Sequence, residues 1–130
     1  MKLRIRSNSI RLRLEKKEVA ALAQTKRVQE TTRLGPATTD VLIYALATHR
    51  GTDEVRVQWG NGSLELSIQE ALATELNETD RVSIETTLDF SGETLKVLIE
   101  KDFKCLTIRT GEDERDNYEN PQEMHEYHPK

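Results

Sequence analysis

Little in this 130-residue chain could crosslink it or carry it through a membrane. There is one cysteine, Cys105, so no intrachain disulfide can form, and the stapled framework of a small secreted scaffold is excluded. Only 5% of residues are aromatic against 35% hydrophobic, so aliphatic side chains must fill any core. No apolar run approaches the ~18 residues a membrane helix needs. The opening stretch MKLRIRSNSIRLRL alternates charge with aliphatics and has no signal-peptide h-region. Gly-rich phosphate loops, G-x-S-x-G and H-E-x-x-H are also missing. On these absences the chain is expected to be cytoplasmic, not an enzyme, and without a cofactor. Its length allows one compact domain, or two very small units sharing a core.

Charge is present in quantity and unevenly placed. Residues 1–53 hold eleven Lys/Arg and five Asp/Glu, a net of +6. Residues 54–110 hold six and eleven, a net of −5, and residues 111–130 hold two and seven, again −5. A basic front suits an anionic partner and an acidic back a cationic one; a dipolar surface with no partner is the competing reading.

The chain also repeats itself. Shifted by 54, Ser9–Leu34 falls on Ser63–Leu88 without a gap, and eight of the 26 positions are identical, among them Leu12/Leu66, Leu22/Leu76, Arg27/Arg81 and Val28/Val82. Average residue usage would give about two. The register extends outward, with Leu3 and Ile5 over Val57 and Trp59, and Val41 and Ile43 over Leu95 and Val97. An internal duplication is the expectation, with repeats 1–53 and 54–110 forming one domain, residues 1–110, and residues 111–130 an acidic flexible tail.

Each repeat reads as ββαββ. Lys2–Arg6 and Ile10–Leu14 alternate polar and apolar around the turn Ser7-Asn8, and Gly60-Asn61-Gly62 supplies the matching turn. Glu15–Thr25 changes period, placing Val19, Leu22 and Ala23 on one helical face, as Leu72 and Leu76 do in the helix Gln69–Leu76. Val28–Leu34, Asp40–Thr48, Val82–Leu88 and Thr94–Lys101 return to strand, and Cys105–Arg109 is a candidate ninth. Neither repeat can bury enough surface alone. The expected fold is therefore mostly β with two short helices, a pseudo-twofold intertwined antiparallel β-barrel in which the halves share a core.

Copy two, VQWGNGSLELSIQEALATELNETDRVSIET, resembles the swapped-hairpin barrel of AbrB/MazE-type (SpoVT-AbrB-like) DNA-binding proteins. The features that carry this are the turn Trp59-Gly60-Asn61-Gly62-Ser63, the helix Gln69–Leu76 and the run Thr79-Asp80-Arg81-Val82-Ser83-Ile84-Glu85; copy one is similar in Ser7–Leu14 and Lys26-Arg27-Val28. The resemblance covers residues 1–101 taken as two tandem units. It departs from the family at the turn, where Ser7 replaces a glycine and Gly62 is extra, and at the helix start, where Glu15 and Gln69 replace a proline.

The resemblance implies a DNA-binding transcription regulator or antitoxin-like protein, with contacts from Lys2, Arg4, Arg6, Asn8, Ser9, Arg11 and Arg13. Alternate strand residues share a face, so Lys2, Arg4 and Arg6 form one row of positive charge suited to phosphates. A solvated face whose charges guard a sheet edge is the competing reading. The matching positions of copy two, Arg56, Gln58, Gly60, Gly62, Ser63, Glu65 and Ser67, carry one cation and one anion, so any DNA contact is one-sided unless two chains pair. The family also implies an acidic carboxy-terminal segment that wraps a basic toxin-like partner, here with Tyr118, Met124 and Tyr127 as anchors; a merely solubilising tail is the alternative. A protein-interaction module that has lost DNA binding is the second functional reading, and monomer and homodimer both stay open.

Other residues with reactive chemistry have plainer readings. Cys105, His125 and His128 could share a metal in principle, but the spacing lacks a second cysteine, and a core cysteine with tail histidines is the ordinary arrangement. His49 has no acid or nucleophile beside it in sequence, and Trp59 is expected to pack against the barrel rather than stack on a base. Where Glu85, Glu100 and Asp102 lie relative to one another is not fixed by the sequence.

Overall fold

A computed structural model of the chain describes residues 1–103; the candidate strand Cys105–Arg109 and the acidic segment 111–130 lie outside them. The elements run β1 (Lys2–Arg6), β2 (Ser9–Leu14), α1 (Lys16–Thr25), β3 (Arg27–Arg33), β4 (Val41–His49), β5 (Val55–Gly60), β6 (Ser63–Gln69), α2 (Glu70–Glu78), β7 (Ser83–Phe90) and β8 (Glu93–Lys101). The fold is thus mostly β with two helices, as the alternation predicts. No helix among the described residues is long and apolar enough to cross a membrane.

The strands form two four-stranded sheets rather than one closed hydrogen-bonded barrel. Sheet A has the order β1-β2-β8-β7 and sheet B the order β3-β4-β6-β5. Each sheet takes one hairpin from each half of the chain, and exchanging β1–β4 for β5–β8 converts one order into the other. The hairpins meet through parallel pairs, β2 with β8 and β4 with β6, while the other four pairings are antiparallel. A parallel neighbour cannot be reached by a tight turn. Here β4 reaches β6 through β5 in the same sheet, while the path from β2 to β8 crosses to sheet B after α1 and returns to sheet A after α2.

Burial follows the exchange. On β2 and β6 the inward residues Leu12 and Leu66 are fully enclosed, as are their neighbours Leu14 and Ile68. On the outer hairpin strands, Met1 and Val55 are buried, Leu3 and Val57 half-buried, and Ile5 and Trp59 exposed. One cluster of buried side chains unites both halves, running from Met1 and Leu12 through Leu22 and Leu46 to Leu66, Leu76 and Ile99. The helices pack on one another and on this interior, α1 through Val19 and Leu22, α2 through Leu72, Ala73 and Leu76. Glu18 accepts the Glu15 N–H at 2.8 Å to start α1, and Lys26 ends it in a left-handed conformation, its N–H bonded to the Leu22 carbonyl at 3.0 Å.

The gapless 54-residue register holds only as far as the helices. Val28 sits opposite Leu46 in the β3–β4 hairpin, whereas the residue opposite the equivalent Ile99 is Ile84, not Val82. The copies are offset there by 56, because α2 is joined to β7 by Thr79–Val82 whereas Lys26 alone joins α1 to β3. Leu46 faces Leu66 and Ile99 faces Leu12, so β4 and β8 are offset by 53. The β3–β4 connection is residues 34–40, whereas Ser91-Gly92 suffices between β7 and β8. The pairs Arg27/Arg81, Val28/Val82, Val41/Leu95 and Ile43/Val97 are therefore not structural equivalents.

The hairpin turns show where backbone geometry constrains the sequence. Asn61 and Gly62 both take positive φ, 52° and 72°, as a two-residue hairpin of matching twist requires. A Cβ on Gly62 would stand 2.8 Å from the Val41 carbonyl oxygen, so glycine is needed for space as well as for φ. The corresponding turn of the first hairpin puts Ser7 at φ 48° without glycine's freedom. Ser7→Gly is expected to raise stability by about 0.5–1 kcal/mol, seen as a higher urea midpoint at unchanged slope.

Candidate nucleic-acid interface

Alternation along β1 and β2 turns Leu3, Ile10, Leu12 and Leu14 inward and leaves Lys2, Arg4, Arg6, Ser9, Arg11 and Arg13 on the outer face of sheet A. Pairing sets them in rows. Lys2 lies opposite Arg13, Arg4 opposite Arg11, and Arg6 opposite Ser9. The parallel pairing of β2 with β8 extends the rows to Glu100, Leu98 and Lys96, and β7 adds Ser83, Glu85 and Thr87. Six cations thus share one face with the three acids Glu85, Asp89 and Glu100.

The cations at one end of this face are paired with acids, and among the described residues those at the turn end are not. One oxygen of Glu100 accepts the Nε–H groups of Arg11, at 2.6 Å, and Arg13, at 2.7 Å. Partial burial works to raise the Glu100 pKa, but the hydrogen bonds and charges of both arginines outweigh it and hold the carboxyl below its ordinary value of 4.5. Lys2 Nζ is 2.9 Å from Asp102. At the turn end of the same face, Arg6 and Lys96 are exposed and make no ion pair among the described residues.

Because the Glu100 pKa is lower folded than unfolded, its stabilisation is present above the unfolded value and is lost as pH falls through the folded one. The stability difference between the wild type and Glu100→Gln should therefore be constant near neutrality and shrink below about pH 4.5. Urea midpoints measured from neutral pH down to the acid limb check this.

Asn8 and Ser9 serve the turn. The Ser9 hydroxyl donates to the Arg6 carbonyl at 2.6 Å, Asn8 Nδ2 donates to the Thr94 carbonyl, and the Lys96 N–H reaches the Asn8 carbonyl at 3.1 Å. The first hairpin is thereby stitched to the start of β8, which brings Lys96 beside Arg6. Lys96 escaped the sequence reading. Its position between Leu95 and Val97 marks it as outward, but nothing local says that β8 lies next to β2.

The outer face of sheet B is built differently. Where sheet A has Arg4, Arg11 and Leu98, sheet B has Gln58, Glu65 and Ala45, and Glu65 is engaged by Arg27. Where Lys96 stands, sheet B has Ile43. The two faces are unequal, as the charge count of the two hairpins anticipates.

Other singled-out residues fall elsewhere. Trp59 is not packed against the interior: it is 68% exposed, because the inward row of β5 runs past the end of the core after Val55 and Val57. An open groove beside it is lined by Gln58, Gly60, Asn61, Ser63 and Glu65. His49 does meet a hydroxyl that the sequence order hides. Its Nδ1 is 2.7 Å from the Ser67 Oγ and its Nε2 2.6 Å from the Asp53 carbonyl, which ties the β4–β5 connection to β6. Glu85 and Glu100 share the outer face of sheet A, but Glu100 is committed to Arg11 and Arg13. Tyr118, Met124, Tyr127, Cys105, His125 and His128 lie outside the described residues.

Fold and face together define a two-sheet, helix-capped β protein with one cationic sheet surface. Residues 1–122 match the model of DUF7009, a family of unknown function, and the chain belongs to that family. No curated protein and no solved structure matches the chain.

Proposed function

We propose that the chain binds DNA through the outer face of sheet A, as an AbrB/MazE-like regulator or antitoxin-like protein built on an intertwined, pseudo-twofold pair of ββαββ units. The exchanged hairpins, the two parallel junctions and the single interior shared by both halves support the swapped-hairpin reading. The observation that carries the function is the alignment of Lys2, Arg4, Arg6, Arg11, Arg13 and Lys96 on one side of three adjacent strands. Arg6 and Lys96 at the turn end, with Arg4 behind them, neutralise phosphates, while Glu100 holds Arg11 and Arg13 at fixed height on the face. Sheet B has no comparable row, so one chain engages one side of a duplex.

Fluorescence anisotropy of a labelled mixed-sequence duplex tests this. With about four phosphate contacts, affinity should fall by roughly two orders of magnitude between about 50 and 200 mM salt. Absence of binding at the lower salt would overturn the proposal. The second reading, a protein-interaction module without DNA binding, draws on the 68% exposure of Trp59 at the other hairpin end. Unchanged partner capture by the chain after Trp59→Ala would remove that support.

A further inference from the structure

We propose that the acidic segment of residues 111–130 docks in cis on the cationic outer face of sheet A and competes there with nucleic acid. The competition rests on the DNA-binding reading; the docking itself does not.

Charge selects the surface. The segment carries seven Asp/Glu and two Lys/Arg. The outer face of sheet A presents six cations against Glu85, Asp89 and Glu100, whereas that of sheet B presents three, Arg27, Arg33 and Arg56, and pairs Arg27 with Glu65. Two cations of sheet A, Arg6 and Lys96, make no ion pair among the described residues and are exposed.

Chain direction selects it too. β8 runs parallel to β2 and ends with Lys101 opposite Leu14. The next residue, Asp102, bonds its N–H to the Leu14 carbonyl at 2.8 Å and its carboxylate to Lys2 at 2.9 Å. The chain therefore leaves the described fold at the Lys2/Arg13 end of the cationic face, already making the kind of contact the acidic segment would continue. The Arg6 row lies four steps along β1 from the Lys2 row, about 13 Å. Residues 104–110 can extend to about 23 Å, enough to place residues 111–116 over any part of the face. A tether this short gives an effective concentration in the millimolar range, so even a weak local contact is well populated. Salt weakens both the docked segment and the bound duplex, because both depend on the same charges.

The test uses the full chain and a full-length variant carrying Glu112→Gln, Asp113→Asn, Glu114→Gln and Asp116→Asn, which brings the net charge of residues 111–130 from −5 to −1. These substitutions lie outside the described residues 1–103, and circular dichroism of both forms checks that the fold is kept. In amide NMR spectra at low salt, resonances of Arg4, Arg6, Arg11 and Lys96 should differ between the two forms and converge at high salt, while those of Arg56 and Ser67 on sheet B stay unmoved. Duplex affinity of the variant should be about tenfold higher at low salt. Identical sheet A resonances overturn the docking, even if DNA binds both forms. Differences that vanish on dilution place the segment on another copy and overturn docking in cis. Sheet A differences without DNA binding by either form leave the docking standing and overturn the DNA reading instead.

Discussion

Leu66→Ala will lower the unfolding free energy by about 4 kcal/mol, and Leu12→Ala in the other half of the chain will do nearly the same. Both side chains are fully enclosed. Leu66 on β6 is flanked by Val57 on β5 and by Leu46 on β4, and Leu12 on β2 by Leu3 on β1 and Ile99 on β8. Each leucine therefore sits between a strand of its own half and a strand of the other, at a junction that neither half can rebuild alone. A domain of this size has only about 5–15 kcal/mol in total, so either substitution removes a large share and the double variant should not fold. Urea unfolding followed by circular dichroism measures the loss. Amide exchange measures its reach: Leu12→Ala lies in sheet A, yet it should speed exchange of the slowest β4 and β6 amides in sheet B by the same free energy. If those amides keep their wild-type protection, the sheets open separately and the shared interior is not a single cooperative unit.

The same interior shows why part of the molecule was legible in the sequence and part was not. Strands such as Lys2–Arg6 and Ser9–Leu14 declare themselves because one face is apolar and the other charged, so period-two alternation is unambiguous. The turns at Asn61-Gly62 and Ser91-Gly92 declare themselves because positive φ favours Gly and Asn, and each pair ends in a glycine. The offset after the helices does not. Moving β7 by two residues keeps the same side chains facing inward, so Val82 and Ile84 are equally acceptable to the pattern, and only the strand pairing decides. The one-residue shift of β4 would normally invert its faces. Here Val41, Ile43 and Ala45 on one side and Leu42, Tyr44 and Leu46 on the other are all apolar or nearly so, and alternation is silent.

Site residues divide along the same line. The charged row of the first hairpin follows from local alternation. Lys96 and Glu100 join that row only through the parallel β2–β8 pairing, made by residues more than eighty positions apart. Trp59 misleads in the opposite way. Its size argues for burial, but it occupies the last inward position of β5, beyond Val57, the last side chain of that strand packed against the core.

Arg4→Ala, Arg6→Ala and Lys96→Ala combined will weaken duplex binding by about a hundredfold at roughly 100 mM salt and flatten the slope of log affinity against log salt by about 3. The three are surface side chains, and such changes usually move stability by less than about 0.5 kcal/mol each, so unfolding does not account for a loss of this size. Lys96→Ala alone is the most discriminating member. It lies outside the basic hairpin in sequence but in the same row as Arg6 and Ser9. If the whole face of sheet A meets the phosphates, Lys96→Ala and Arg6→Ala should cost similar factors and each should reduce the slope by about 1. If the first hairpin acts alone, Lys96→Ala should be neutral while Arg4→Ala and Arg6→Ala still weaken binding. Arg56→Ala on sheet B, the counterpart of Lys2, is the control and should change affinity less than about twofold, because its neighbours Gln58 and Glu65 offer no continuous run of positive charge. A triple variant with wild-type affinity and slope, alongside a damaging Arg56→Ala, would move the DNA contact to the other sheet and remove the proposed role of the cationic face.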